Sequence, residues 1–316
     1  MTDSTTCKVA LIGAGYMAHE HARAFMDLPG VSLTGIFSRT KSRAEELAAE
    51  FKIPVVTNSI TSLYDKTQPN LVVVTVSELN MNSVSNECFR FPWTILLEKP
   101  AGYNLSDAED IYSNAEKNKK RVFVAFNRRC YGSTRAGLAD LQNLNERRFI
   151  KVQDQQDIGS ILAMGQPEEV AKNYMFANSV HLIDYFRVFG RGKVVNVEQV
   201  RKWNPDDPGV VISQVEFESG DHGLYEGIWN GPGPWAVNVT LPSKRWEFRP
   251  LEQAGFQLRG ERKMQMIDSD PLDTQYKPGL RVQAERAVAA ASGNQTDLAT
   301  LADSLETMRL VDRIFK

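Results

Sequence analysis

The stretch Lys8–Ala18, KVALIGAGYMA, constrains this chain more than any other. Val9 to Gly13 is short, apolar and partly β-branched, and reads as a buried strand. Gly13-Ala-Gly15-Tyr16-Met17-Ala18 follows as a G-x-G-x-x-A turn. Met17, Ala18, His21, Ala22, Ala24 and Phe25 then recur at helical spacing. Strand, glycine turn and helix in that order are the context that gives the motif meaning. Gly13 permits a tight turn, Gly15 lets the backbone approach a pyrophosphate, and Ala18 lets the helix pack close to the strand. Free N–H groups at the helix start, with the helix dipole, favour phosphate oxygens. Gly13, Gly15, Tyr16 and Met17 are therefore candidate cofactor-binding residues. The alternative is a tight turn that binds nothing.

A chain of 316 residues suggests about two domains. Its 42% hydrophobic and 24% charged residues are those of an ordinary globular protein. A net charge of -2 gives no reason to expect nucleic acid as a partner. Cys7, Cys88 and Cys130 show neither C-x-x-C spacing nor a metal pattern, so no metal site is expected and a reducing, cytoplasmic setting is. The opening MTDSTTC lacks a basic region followed by an apolar core, which predicts no signal peptide. No apolar run approaches the ~18 residues of a membrane span.

Further along, Ser32–Ser38 reads as a second strand. Its end meets the adenine ribose in a Rossmann unit, where an acid accepts from the 2′-hydroxyl of NAD. This chain has Ser38-Arg39-Thr40-Lys41-Ser42-Arg43, with no acid. Hydroxyls and guanidinium groups suit a phosphate, which favours NADP(H) over NAD(H), with Ser38, Arg39 and Arg43 as contacts. Lys41 and Arg43 read equally well as solvated residues opening the next helix. Leu71–Val76 is a continuous apolar run, the mark of a central parallel strand; Ser77 follows at its rim. Thr94–Leu97 is a fifth strand and ends in Glu98-Lys99-Pro100. Lys99 falls at the carboxyl end of the sheet, where it can stabilise an oxygen that gains charge. Pro100 fixes the backbone after it, a cis bond being one way. A surface Glu-Lys pair before a loop is the plainer reading. Ser106, with Glu109 three residues on, resembles a capping box. Arg121–Phe126 is a sixth strand and leads into Asn127-Arg128-Arg129.

The expected nucleotide domain is 1–126, and 127–316 the second, whose last helices can pack back on the first. Tyr131–Leu144 reads as a linking helix. Alternating segments at 149–158, 194–203, 210–218, 223–229, 235–241 and 246–249 predict a largely antiparallel sheet with one covered face. The class is thus α/β: a doubly wound parallel sheet followed by an α/β domain with an open, largely antiparallel sheet. In Asn178-Ser-Val-His181-Leu-Ile-Asp184, His181 and Asp184 share a helix face. A histidine titrating near neutrality can take a hydroxyl proton; a satisfied core histidine is the alternative. Lys172, Arg128, Arg129, and the loop Trp229-Asn-Gly-Pro-Gly-Pro-Trp235 with its two indoles are expected near substrate, unless the loop is a plain connection. Trp203, Trp229, Trp235 and Trp246 either line the open face or sit in the core.

These residues resemble the glucose–fructose oxidoreductase / inositol dehydrogenase (Gfo/Idh/MocA) family along essentially the whole chain. The resemblance rests on the G-x-G-x-x-A unit, Glu98-Lys99-Pro100, Phe126-Asn127-Arg128-Arg129 and the His181-x-x-Asp184 pair. It implies NAD(P)-dependent hydride transfer on a carbohydrate-type alcohol or ketone, with Glu98 and Lys99 in the cofactor set. Lys99 and His181 become the catalytic pair. Asn127, Arg128, Arg129, Asn178, Asp184, Trp229 and Trp235 become substrate residues. It also implies a homodimer or homotetramer built through the open sheet. Many family members carry an aspartate four residues before the histidine; Ala177 stands here. The T-P-x-x-x-H pattern reads Thr75-Val-Ser-Glu-Leu-Asn80. Both departures point to a divergent branch, such as one acting on nucleotide-linked or modified sugars. Two further readings stand beside this one: a reductase of a non-sugar carbonyl, imine or conjugated double bond, like biliverdin reductase or dihydrodiol dehydrogenase, and a cofactor-binding regulator without turnover.

Overall fold

The structure, a computed structural model, describes residues 7–316. The first six residues, on which the signal-peptide expectation rests, lie outside the described residues. The chain divides into two compact units. One runs to Asn127 and adds Thr274–Leu305; the other comprises Arg128–Asp273 and Glu306–Lys316.

In the first unit β1 (Cys7–Ile12), α1 (Tyr16–Met26), β2 (Val31–Phe37), α2 (Lys41–Glu50), β3 (Val56–Thr57) and α3 (Ile60–Thr67) form one half. The other half is β4 (Leu71–Val74), α4 (Glu78–Cys88), β5 (Thr94–Leu97), α5 (Leu105–Lys117) and β6 (Val122–Val124). The six strands are all parallel, in the order β3-β2-β1-β4-β5-β6. The order reverses between β1 and β4, which is where such sheets bind ligands. Every residue of β4 and β5 is buried, because helices cover both faces. Ala18 and Ala22 are small enough for α1 to lie close to the sheet, and Phe25 and Leu11 fill the space beside them. Each such large side chain contributes roughly 1.5–3 kcal/mol by leaving water.

The start of α5 differs from the sequence reading. Its cap is Asn104, not Ser106. Asn104 Oδ1 accepts from Asp107 N at 2.9 Å, and Asp107 Oδ2 accepts from Tyr103 N at 3.1 Å. Asparagine caps as well as serine, and the reciprocal exchange satisfies two donors two residues earlier.

The second unit opens with α6 (Gly132–Leu141), β7 (Phe149–Gln156), α7 (Ile158–Ala163), α8 (Glu168–Lys172) and α9 (Val180–Phe189). There follow β8 (Val194–Arg201), β9 (Val210–Phe217), β10 (His222–Trp229), β11 (Ala236–Thr240), β12 (Lys244–Phe248), β13 (Ala254–Leu258) and β14 (Gln265–Met266). After α10 (Pro271–Gln275), α11 (Leu280–Ala291) packs in the first unit on α1 through Leu280, Ala284 and Ala287, and α12 (Leu301–Phe315) ends the chain. The eight strands run β14-β13-β12-β11-β7-β10-β9-β8. All neighbours are antiparallel except β7 and β10. Alternate residues of β7 and β10 are buried, so one face is covered.

Tryptophan placement decides between two expectations for Trp229 and Trp246. Trp229 is 3% exposed and packs on Trp203 and Phe315; Trp246 is 3% exposed and stacks with Phe248. Both belong to the covered face, not the open one. The segments β13, β14, α7 and α8 were not read from the sequence: each is short, and α7 starts only because Asp157 Oδ1 caps Ser160 N at 2.6 Å. That cap ends β7 at Gln156 rather than Ile158.

Candidate active site

At the switch point of the first unit, Thr75 N donates to Ile12 O at 2.8 Å, which draws the ends of β1 and β4 together. Gly13 turns between them with φ +111°, and a Cβ there would stand 2.5 Å from Thr75 O. Only glycine meets both conditions. Gly15 caps α1 and is different: a Cβ there would meet nothing within 4 Å. The backbone therefore faces open space beside the first turn of a helix that has no acid in that turn. That is the cradle a diphosphate needs, and the residues present fit a dinucleotide. Tyr16 is exposed and Lys277 lies 5.3 Å over its ring; Met17 packs half-buried against the core, so it offers its backbone more than its side chain.

At the end of β2, Arg39 Nη1 donates to Asn80 Oδ1 at 3.0 Å, and Asn80 Nδ2 donates to Ser77 Oγ at 2.5 Å. Asn80 thus joins two of the residues singled out from sequence, and it stands where the family pattern has histidine. Ser38 Oγ accepts from Thr40 N at 3.3 Å and folds the strand end back. Arg43 shares a hollow of about 530 Å³ with Gly15 and Tyr16, but Glu20, Glu46 and Glu50 line it too. Their charge opposes a phosphate there, so Arg39 is the stronger of the two guanidinium candidates.

Beside β4, β5 ends at Glu98. His21 Nε2 lies 2.7 Å from Glu98 Oε1, and Glu98 Oε2 accepts from Lys99 N at 3.2 Å. Both side chains are buried. Lys99 is half-buried, and the Lys99–Pro100 peptide is cis. Asn127 is buried, and its Nδ2 donates to Pro278 O at 3.0 Å. That bond ties the end of β6 to the returning segment and uses one N–H of the Asn127 amide, a residue expected at the substrate.

The second unit holds the remaining candidates. A π-helical turn, Met175–Ser179, runs into α9 and places Asn178 three residues before the buried His181. Such turns recur at functional sites. Asp184 is 3% exposed and wholly engaged: Arg129 Nε and Nη2 each donate to it at 2.6 Å, and Thr307 Oγ1 at 2.9 Å. It positions Arg129 and Thr307 through both of its oxygens, at a residue expected to contact substrate. Arg128 is buried and stacks 4.8 Å from the Trp235 ring, and Trp235 Nε1 donates to Gln155 O at 2.7 Å. Trp235 lines an open groove of about 640 Å³ with Gln156, Tyr174, Asn178, Asn230 and Gly233. Trp229 does not line it; its indole faces the core. Lys172, expected near substrate, pairs with Glu168 at 2.7 Å on an exposed helix face and is not among the residues lining that groove.

Behind the groove runs a chain that the sequence did not suggest. Tyr225 Oη donates to Asp154 Oδ2 at 2.8 Å, Gln156 Nε2 donates to Asp154 Oδ1 at 2.8 Å, and Asn178 Nδ2 donates to Gln156 Oε1 at 3.0 Å. Burial pushes the Asp154 carboxyl above its ordinary range, against the pull of its hydrogen bonds and of Arg128. Burial likewise pushes the Tyr131 phenol up to about 12, while Arg128 draws it back. Alternation along β7 hides these polar residues among core positions; only their residue types could have marked them. Among the described residues no group of three or more His, Cys, Asp or Glu is placed to hold a metal ion, and no helix is long and apolar enough to cross a membrane.

A parallel sheet with its order reversed at a glycine cradle, and a lysine on the same rim, define a dinucleotide-binding oxidoreductase of the Rossmann type. Residues 7–126 match the Gfo/Idh/MocA oxidoreductase family, NAD-binding Rossmann fold. A relative, 4-carboxy-2-hydroxymuconate-6-semialdehyde dehydrogenase of a Sphingobium species, is 19% identical over 237 residues, covering 72% of this chain and 73% of its own. The fold is similar to that of a dehydrogenase from Chromobacterium violaceum, with a TM-score of 0.83, 17% identity and coverage of 98% and 94% of the two chains. It is also similar to an oxidoreductase from Agrobacterium radiobacter in complex with NAD+, L-tartaric acid and magnesium (TM-score 0.73, 17% identity, 98% and 95% covered). A third is UDP-N-acetylglucosamine 3-dehydrogenase from Acidithiobacillus ferrooxidans (TM-score 0.77, 13% identity, 97% and 96% covered).

Proposed function

We propose that the protein transfers hydride between a nicotinamide cofactor and a carbohydrate-type alcohol or ketone, a nucleotide-linked or modified sugar being one form. The observation that carries this reading is Lys99 on the rim that also bears the Gly13–Gly15 cradle. In the oxidising direction a C–H and an O–H bond break and a C=O bond forms. The bound cofactor supplies the hydride acceptor or donor. The Lys99 ammonium donates to the reacting oxygen and stabilises charge on it. His181 takes the hydroxyl proton and returns it in reduction. Glu98 and His21 hold the backbone from which Lys99 projects. Arg39, braced by Asn80, and Ser38 bind the ribose phosphate, so NADP(H) is preferred over NAD(H). Asn178 hydrogen-bonds substrate where Ala177 leaves the family aspartate absent. Two or four copies associate through the open face of the eight-stranded sheet, which carries the exposed Phe149 and Val210. The thiols of Cys7, Cys88 and Cys130 are buried, as suits a cytoplasmic setting.

A second reading is reduction of a non-sugar carbonyl. The missing acid at Ala177 favours it, as does a relative whose name describes a carboxylated semialdehyde. Absorbance of reduced nicotinamide separates the two. Each cofactor form is mixed with polyols, sugars, nucleotide sugars and small carbonyl compounds. Turnover of one sugar class, lost in Lys99→Ala, supports the first reading. Turnover confined to non-sugar carbonyls supports the second. Cofactor binding with no turnover across the panel overturns both.

A further inference from the structure

Beside the glycine cradle stands a cation that the local chain does not supply. The first intrahelical bond of α1 runs from His19 N to Gly15 O at 3.2 Å, so the N–H groups of Tyr16, Met17 and Ala18 lie ahead of it. These donors and the helix dipole are what the local chain offers a diphosphate. The turn Tyr16-Met17-Ala18-His19 contains no lysine or arginine. Arg43 shares its hollow with Glu20, Glu46 and Glu50, and Lys277 is not among the residues lining that hollow.

Lys277 lies on the segment that returns to the first unit, and that segment is tied down on both sides of it. Arg23 Nη2 donates to Gln275 O at 2.6 Å, and its guanidinium lies 5.3 Å from the Tyr276 ring. Arg281 Nε donates to Asp27 Oδ2 at 2.7 Å, and Asn127 Nδ2 donates to Pro278 O at 3.0 Å. Leu280 N donates to Lys277 O at 3.1 Å, which closes the turn into α11. Arg23 and Arg281 are thus committed to holding the segment, and Lys277 is not. Its ammonium rests 5.3 Å from the centre of the Tyr16 ring, and that ring is 66% exposed. Attraction of an ammonium to an exposed phenol ring is weak, so the contact is exchangeable. Glu20 is one turn along α1 from Tyr16, and its carboxylate lies 3.2 Å from His19 Nδ1. Among the described residues no ion pair joins Lys277 to Glu20 or to any other acid.

We propose that Lys277 is a cofactor-binding residue, whose ammonium pairs with the diphosphate of a dinucleotide seated on the Gly13–Gly15 cradle. The inference rests on the dinucleotide binding of the function proposed above, and not on the choice of substrate. A compact point charge on a flexible stem suits a diphosphate, since it needs no fixed fork geometry. Its backbone is held while its side chain is left to move, so the charge stays beside the cradle and still adapts to the ligand. The diphosphate is common to NAD(H) and NADP(H). Lys277 therefore adds affinity for both, where Arg39 discriminates between them.

The test is fluorescence titration of the full chain with NADH and with NADPH, no substrate being present, beside the thermal midpoint of each variant. Lys277→Gln is expected to weaken both about tenfold and to leave their ratio as in the parent. Lys277→Arg keeps the charge and recovers most of the loss. NADH binding by the parent weakens as salt rises, and in Lys277→Gln that dependence is shallower. Should Lys277→Gln not fold, Lys277→Met, which keeps most of the stem, and the salt series on the parent decide. Unchanged NADH affinity in the charge-removing variant overturns the proposal and leaves the cofactor reading standing. So does a loss confined to NADPH, which places Lys277 at the 2′-phosphate, and so does a parent whose NADH affinity does not vary with salt. A parent that binds neither dinucleotide overturns the function proposed above together with this inference. Binding of both without turnover of any substrate overturns the hydride-transfer reading alone.

Discussion

His21 Nε2 and Glu98 Oε1 meet at 2.7 Å inside the first unit, with His21 1% and Glu98 6% exposed. The bond ties α1, which starts at the glycine cradle, to the residue whose other oxygen accepts from Lys99 N. Glu98→Ala leaves a buried imidazole without that partner and is expected to cost about 2–4 kcal/mol. Glu98→Gln keeps a hydrogen bond and costs about 1 kcal/mol. Urea midpoints give both values. An alanine variant as stable as the parent would show that the bond carries no weight.

The two glycines of the cradle are expected to separate stability from binding. Gly13→Ala places a Cβ 2.5 Å from Thr75 O at φ +111° and so strains the junction of β1 and β4. Its melting point falls with its cofactor affinity. Gly15→Ala meets nothing within 4 Å and needs no forbidden backbone angle. Its stability falls by no more than about 1 kcal/mol, the cost of alanine at a helix N-cap, while affinity for the cofactor falls at least about tenfold, since the methyl occupies the approach of the pyrophosphate. Calorimetric binding beside thermal unfolding reads both. Equal loss of stability in the two variants would show that the space beside Gly15 is not the cradle.

The glycine turn was legible because each position has one physical reason to be there, and the all-buried β4 and β5 because parallel strands are apolar on both faces. His181 and Lys99 could be named from their types and motifs. What could not be read was pairing. Nothing in Asn178-Ser-Val-His181 says that Asn178 meets Gln156, or that Asp184 is saturated by Arg129 and Thr307. Those contacts join residues far apart in sequence, and the period-2 pattern of β7 gives Asp154 and Gln156 the same mark as any core position. Trp229 and Trp235 flank one loop, yet one indole faces the core and the other the groove. Side-chain direction at a strand end depends on register, which the sequence does not display.

Arg39 and Asn80 make the cofactor preference testable. Arg39→Asp replaces a phosphate partner with an acid able to accept from a ribose hydroxyl. NADP(H) affinity is expected to fall by about two orders of magnitude, and NAD(H) affinity to hold or rise. Asn80→Ala removes the brace at 3.0 Å and weakens NADP(H) by a smaller factor, roughly threefold to tenfold, with NAD(H) little changed. Fluorescence titration with both reduced cofactors measures the ratio. Parallel loss of both in Arg39→Asp would place the guanidinium away from the 2′-position.

Two buried carboxyls of the second unit are expected to give stability opposite pH dependences. At Asp221, burial pushes upward, but the Arg191 guanidinium, donating at 2.9 and 2.7 Å, and Arg148 N at 2.9 Å hold the pKa below its ordinary value. Such a group stabilises the fold above the unfolded value of about 3.9 and ceases to as pH falls through its lower folded value. At Asp154 burial wins and the pKa is raised. That group stabilises the fold at low pH, and its contribution is lost as pH climbs from about 3.9 through the higher folded value. Asp221→Asn should therefore flatten the acid limb of a urea-midpoint series below about pH 4. Asp154→Asn should flatten the decline that begins above it. A parent and an Asp154→Asn variant with parallel curves from pH 4 upward would mean that Asp154 titrates alike in the folded and unfolded chain.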